Sequence, residues 1–188
     1  MRIIAGSAKK RHLKVPPGWQ GRPTADRVKE SLFNILGSLV PGSVFLDLFA
    51  GTGNIGIEAL SRGAGHVVLV EKDPRAARTI KQNIRDAGLE SGARVLTSDV
   101  YRALEELAAG SAADRQGQGK FDLVFLDPPY GMGFELPVIG RVLELGLLAQ
   151  GGLIIAESGK REELPPDIKG LLLNRQERYG DTLLSFYS

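Results

Sequence analysis

No cysteine occurs among the 188 residues, which excludes disulfides, thiolate metal sites and any mechanism that needs a cysteine nucleophile. Imidazole is nearly as scarce. His12 and His66 lie in different segments, so a zinc site would need an unusual oxygen-rich ligand set, and no metal is expected. Long apolar runs are missing too: Val67-Val68-Leu69-Val70 and Leu123-Val124-Phe125-Leu126 fall far short of the roughly 20 residues that span a bilayer. The start, Met1-Arg2-Ile3-Ile4-Ala5-Gly6, runs into basic residues with no apolar stretch of signal-peptide length. A cytoplasmic chain with no membrane attachment is the expectation.

A hydrophobic content of 43% over this length supports one full core, and at roughly 150 residues per domain the chain is too short for two. The net charge of +2 is unevenly placed. Residues 1–29 hold eight basic side chains (Arg2, Lys9, Lys10, Arg11, Lys14, Arg22, Arg27 and Lys29) against Asp26 alone, while the remainder is net acidic. A basic end suits a polyanionic partner, because neutralising phosphates releases counterions. Lys9, Lys10, Arg11, Lys14 and Arg22 are the candidate nucleic-acid contacts. A solvated arm with no partner is the alternative.

Beyond the arm, Val28, Leu32, Ile35 and Leu39 recur at helical spacing, predicting a helix from Thr24, a plausible N-cap, to about Ser38. Short apolar runs and helical stretches then alternate. Strands are expected at 44–48, 67–70, 94–97, 121–126 and 152–156, with helices at 55–62, 74–87, 100–108 and 135–147. That rhythm predicts an α/β fold with a mostly parallel sheet and helices on both faces. The tail, 171–178 and 183–187 around Tyr179-Gly180-Asp181, reads as an antiparallel hairpin. Residues 109–120, rich in Gly, Ala, Ser and Gln, read as a flexible surface loop.

Asp47-Leu48-Phe49-Ala50-Gly51-Thr52-Gly53-Asn54-Ile55-Gly56 follows the first strand and opens a helix, where glycines let backbone approach a ligand. A dinucleotide site competes for this pattern. Asp47, just before the glycines, would repel a pyrophosphate and attract an ammonium group, as S-adenosylmethionine carries. Glu71, at the end of the next strand, suits ribose hydroxyls of either nucleotide. Asp99 ends the third strand and either faces an adenine amine or caps the helix that begins at Val100. Phe49, Ala50, Gly51, Thr52 and Gly53 complete the candidate cofactor loop.

Asp127-Pro128-Pro129-Tyr130 comes directly after an apolar strand, at the edge where open α/β sheets bind ligands. Two prolines remove two donors and fix the turn. A base amine is a poor nucleophile because its lone pair is delocalised into the ring. If Asp127 and a backbone carbonyl, that of Pro128, accept its two hydrogens, the nitrogen can pyramidalise toward a methyl donor, with Tyr130 stacked on the extruded base. Methylation at pyrimidine carbon 5 usually needs a thiolate adduct, which this chain lacks, so nitrogen is the expected acceptor.

These residues together resemble the bacterial 16S ribosomal RNA guanine-N2 methyltransferase family called RsmD. The likeness covers Met1 to Gly6, Arg22-Pro23-Thr24-Ala25-Asp26-Arg27-Val28-Lys29-Glu30-Ser31-Leu32-Phe33-Asn34, Asp47 to Gly56, Glu58 to Ala64, Glu71, Asp127 to Tyr130 and Tyr179 to Thr182. The resemblance implies a seven-stranded Rossmann-like sheet and a small N-terminal β-hairpin over residues 1–21 that grips RNA, ahead of a catalytic domain at 22–188. It implies S-adenosylmethionine as cofactor, and Thr24, Arg27 and Asn34 as residues that close over it. The implied partner is 16S rRNA or a partly assembled small subunit; the oligomeric state is open, with a monomer favoured. Three other readings stay open: an adenine-N6 DNA methyltransferase with the same Asp127 chemistry, an NAD-binding oxidoreductase, and a non-catalytic RNA-binding assembly factor.

Overall fold

The computed structural model describes residues 1–16, 18, 26–110 and 120–188. Five strands run parallel: β1 (Val44–Leu48), β2 (His66–Glu71), β3 (Ala93–Thr97), β4 (Phe121–Leu126) and β5 (Leu148–Gly159). Three more, β6 (Asp167–Ile168), β7 (Leu171–Tyr179) and β8 (Thr182–Tyr187), join antiparallel, giving the order β3-β2-β1-β4-β5-β8-β7-β6. The expected seven strands are present. The eighth is the two-residue β6, too short for a periodic signal.

Every residue of β1 and β2 is buried, as befits strands covered on both faces. The period of two divides the apolar residues between two cores. Phe45, Leu69, Leu123 and Phe125 pack with α1 (Asp26–Leu36), α2 (Asn54–Ser61) and α3 (Pro74–Ala87). Leu46, Val68, Val124 and Leu126 pack with α4 (Val100–Ala109) and α5 (Glu135–Glu144) on the opposite face. Because the chain goes outward from β1 to β3 and then returns to β4 on the other side, the carboxyl ends of β1 and β4 flank a topological switch point. Asp47 to Gly56 and Asp127 to Tyr130 leave the sheet there.

Two helix boundaries differ informatively from expectation. α1 buries Val28, Lys29, Leu32, Phe33 and Leu36, leaving Leu39 exposed, because Lys29 has a partner inside the fold. α5 ends at Glu144 rather than Leu147: Gly146 turns into the left-handed region (φ 62°), and the Leu147 N–H donates back to the Val142 carbonyl, a glycine-terminated stop.

Where a β-hairpin is implied, the described part of residues 1–21 holds one antiparallel bridge, Arg2 to His12, supported by Ile3 N–H to Arg11 O and Lys10 N–H to Ile3 O. Residues 5–10 form the bends and turns between the bridged ends. The arm is docked on the body of the fold, since Ile3, Ala8 and Leu13 are buried in the core beneath α1–α3. Docking needs glycine at position 6, where φ is 82° and a Cβ would lie 1.7 Å from the Ser61 carbonyl oxygen. The Glu58 carboxylate accepts from the Ile4 and Ala5 N–H groups at 2.8 and 3.0 Å. Lys29 Nζ completes the joint, donating to Arg2 O and Asn54 Oδ1, both at 2.7 Å, and pairing with Glu58 at 3.3 Å. Among the described residues no helix is long and apolar enough to cross a membrane.

Candidate active site

A cleft of about 660 Å³ opens over the switch point, well within the size range of small-molecule sites. Its walls include Asp47, Phe49, Ala50, Gly51 and Thr52 from the first loop, Glu71 and Asp99 from the next two strand ends, and Asp127, Pro128, Pro129 and Tyr130 from β4. The acids expected near a cofactor and the residues expected near a base therefore face one continuous space.

Local chemistry explains the loop. Phe49 sits in the left-handed region (φ 64°), uncommon for a bulky residue, and its ring packs against Phe134 with centroids 5.7 Å apart. Gly56 lets α2 lie directly on the sheet, as a Cβ there would approach Leu69 Cδ2 to 2.7 Å. Gly53 does not line the cleft: it precedes α2 and faces Ile57 and Ile80 in the core. Its left-handed backbone (φ 78°) shapes the loop.

Asp47 is 2% exposed, and its Oδ2 accepts from the Gly56 N–H at 2.8 Å. Burial raises its carboxyl to about 7, with Glu71 adding repulsion and the Gly56 bond opposing the rise. Glu71 is likewise pushed above the usual carboxylate range by burial, although Oε2 accepts from Gly51 N–H and Oε1 from Asp73 N–H, each at 2.8 Å. Each carboxylate oxygen keeps acceptor capacity beyond one bond. Asp99 caps α4 through the Tyr101 N–H at 2.9 Å and also lines the cleft, so the cap does not turn it away from that space.

Tyr130 is more constrained than a free stacking ring. Its hydroxyl donates to Glu157 Oε1 at 3.0 Å and lies 3.2 Å from Thr182 Oγ1, tying the β4 turn to β5 and to the C-terminal hairpin. Burial, then the nearby charges of Glu157 and Asp127, raise its phenol above the ordinary value. The residue stays 38% exposed at the mouth.

Two expected residues of α1 lie away from the cleft. Arg27 and Asn34 are exposed and absent from the cleft wall, because burial of Val28, Lys29 and Leu32 turns them outward; Val28 lines the cleft instead. Thr24 and Arg22 lie outside the described residues, as does most of the 109–120 loop. On the arm, Lys9, Lys10, Arg11 and Lys14 are all exposed. Lys14 pairs with Asp86 at 2.8 Å, and Arg11 donates to the Asp86 carbonyl, so these two hold the arm to α3 as well as presenting charge. Sequence reasoning overlooked Phe134, Glu157, Tyr179 and Thr182 as cleft residues. Glu157 carried a usable signal, an acid at the carboxyl end of a buried strand, like Asp47 and Glu71.

Residues 1–188 match the model of the family described as Conserved hypothetical protein 95. The chain is 41% identical over 187 residues to YlbH of Bacillus subtilis strain 168, covering 100% of this chain and 98% of that protein. It is 34% identical over 188 residues to the ribosomal RNA small subunit methyltransferase D of Escherichia coli K12, covering 100% and 89%. The solved structure of yhhF from Escherichia coli superposes with a TM-score of 0.85 at 34% identity, covering 100% of this chain and 96% of that one.

Proposed function

The chain belongs to the family described as Conserved hypothetical protein 95, the RsmD family, and from that premise we propose that it methylates the exocyclic N2 amine of a guanine in 16S ribosomal RNA, using S-adenosylmethionine. The observation that carries this reading is the single cleft shared by the acids of β1 to β3 and by Asp127 to Tyr130. An oxidoreductase would leave that second group without a task.

The donor set suits the cofactor. Glu71 offers carboxylate oxygens for ribose hydroxyls, Asp99 for an amine at the adenine end, and Asp47 a buried counter-charge for an ammonium. When bound, S-adenosylmethionine supplies an electrophilic methyl group on a sulfonium. Asp127 and the Pro128 carbonyl would accept the two hydrogens of the target amine, localising the nitrogen lone pair, and the rigid Pro-Pro turn keeps those acceptors in place before reaction. The nitrogen's surplus proton then passes to water or to Asp127. Ribosomal RNA as substrate agrees with the name of the Escherichia coli relative, and a cytoplasmic site of action is part of the same proposal.

Mass spectrometry of ribosomal RNA from a deletion strain tests the assignment. Loss of one N2-methylguanosine is expected, and an unchanged methylguanosine inventory would refute it.

The state of Asp47 gives a pH dependence. Its folded carboxyl, near 7, lies above the ordinary 3.8, so the fold holds this proton more tightly than the unfolded chain does. Its ionisation therefore lowers stability as pH rises from about 4 to about 7, whereas a cationic ligand needs the ionised form. Calorimetry with S-adenosylhomocysteine, which keeps the amine, should give binding about tenfold weaker at pH 6 than at pH 8. Asp47→Asn should flatten that profile. A flat profile in the parent would remove the Asp47 contact.

For the arm, charge reversal at Lys9, Lys10 and Arg11 should weaken RNA binding and reduce the slope of log K against log salt by about 0.7 per lost phosphate contact to single-stranded RNA. Equal slopes for variant and parent would take the arm out of the interface.

A further inference from the structure

Asp127 does not face the target base alone. In the parallel pair β4–β5, Leu126 is in register with Ala156, so Asp127 and Glu157 are the next residues on adjacent strands, which lie about 4.8 Å apart. Both line the cleft. Glu157 is 4% exposed, and its Oε1 accepts the Tyr130 hydroxyl, which fixes the carboxylate beside the ring expected to meet the base.

The chemistry of bases makes this neighbour selective. An ionised carboxylate accepts hydrogen bonds and donates none. Guanine carries two adjacent donors on its Watson–Crick edge, the N2 amine and N1–H. Adenine carries an amine beside N1, which is an acceptor with a lone pair. A flipped base is read through that edge. An acceptor for the amine next to an acceptor for the neighbouring ring atom therefore matches guanine, and it sets a lone pair against a carboxylate when adenine enters.

The geometry points to Glu157 as the residue that reads N1–H of the target guanine, making it the specificity determinant beside Asp127. This deepens the guanine-N2 reading and rests on it. Bonding to the Tyr130 hydroxyl uses one lone pair of Oε1, so holding the ring and reading the base are compatible.

The test uses small-subunit particles reconstituted with 16S rRNA in which the target guanosine, located by mass spectrometry, is either retained or replaced by ligation with 2-aminopurine riboside. That analogue keeps the N2 amine but presents an acceptor at N1 and lacks O6. For the parent, kcat/KM should favour guanine by about 100-fold, the scale of discrimination from a well-placed pair of hydrogen bonds. Glu157→Gln retains an oxygen for Tyr130 and gains an amide donor for N1. Its guanine preference should fall below about tenfold. Any contribution from O6 is common to both proteins and cancels in the ratio of preferences. Unchanged melting temperature and S-adenosylhomocysteine affinity would show that the variant is folded.

A preference equal in variant and parent, with guanine methylated by both, overturns the role of Glu157 and leaves the N2 assignment standing. A parent that methylates no guanine in the particle overturns the two together.

Discussion

Asp127→Ala will lower single-turnover methyl transfer by about 10²–10³-fold while S-adenosylhomocysteine affinity stays within a few-fold of the parent. The magnitude is that of removing one preorganised group acting on charge that develops in the transition state. The target amine has little nucleophilicity until its hydrogens are held out of the ring plane. Asp127 is placed at the end of β4 by a strand buried between two helical layers, and Pro128 and Pro129 then prevent the turn from relaxing. Asp127→Asn should retain more rate than alanine, since its carbonyl oxygen still accepts one hydrogen. The separation between chemistry and cofactor binding is the diagnostic part. Equal loss of both would mean that Asp127 holds the cofactor, and unchanged transfer would leave a non-catalytic RNA-binding protein as the better account.

The second large effect is on stability. Lys29→Ala should destabilise the fold by roughly 3–5 kcal/mol, the usual consequence of breaking a buried ion pair from one side. Lys29 and Glu58 have no exposed side-chain surface, and all three Lys29 donors are engaged, by Arg2 O, Asn54 Oδ1 and Glu58. Burial holds the Lys29 ammonium below its ordinary pKa despite Glu58. Removing the lysine leaves Glu58 with Arg62 at 2.8 Å and the Ile4 and Ala5 N–H groups, and leaves Arg2 O and Asn54 short of a donor. At about 2–4 °C per kcal/mol for a chain of this size, the melting temperature should drop by roughly 10 °C. The double change Lys29→Met with Glu58→Leu should cost less than the two single changes added together, because neither charge is stranded. A Lys29→Ala protein that melts with the parent would show the pair to be energetically idle.

Lys29 also marks where reading the sequence runs short. Apolar periodicity found α1 but assigned its inner face to Val28, Leu32, Ile35 and Leu39, since a pattern of hydrophobic residues puts a lysine outside. Arg27 and Asn34, which only the family resemblance placed at the cofactor, lie on the outer side of that helix. The alternation of strands and helices, by contrast, was legible because buried parallel strands are continuous apolar runs. The start of β5 was not. The expected strand begins at Gly152, yet β5 begins at Leu148 and runs through Gly151-Gly152 with an irregularity in its pairing to β4. Among site residues, Asp47, Glu71, Asp99 and Asp127 were visible because each terminates a strand. Glu157 lies two residues before the end of β5, and Ser158-Gly159-Lys160 after it resembles ordinary loop composition. Tyr179 and Thr182 reach the cleft only because β8 pairs antiparallel with β5, a long-range fact that local spacing does not encode.

α2 joins the two ends of this design. Its first turn follows the cofactor loop, and its last turn receives the arm through Glu58 and Ser61. Eight residues at 1.5 Å each make a rod of about 12 Å. Such a rod cannot stretch, so whatever the arm holds is kept at a set interval from the Asp47–Gly56 loop. The helix is in that sense a gauge: selection of a nucleotide would depend on its reach from the gripped backbone as well as on the shape of its edge. Lengthening or shortening α2 by one turn would move the gauge while leaving both of its ends chemically intact.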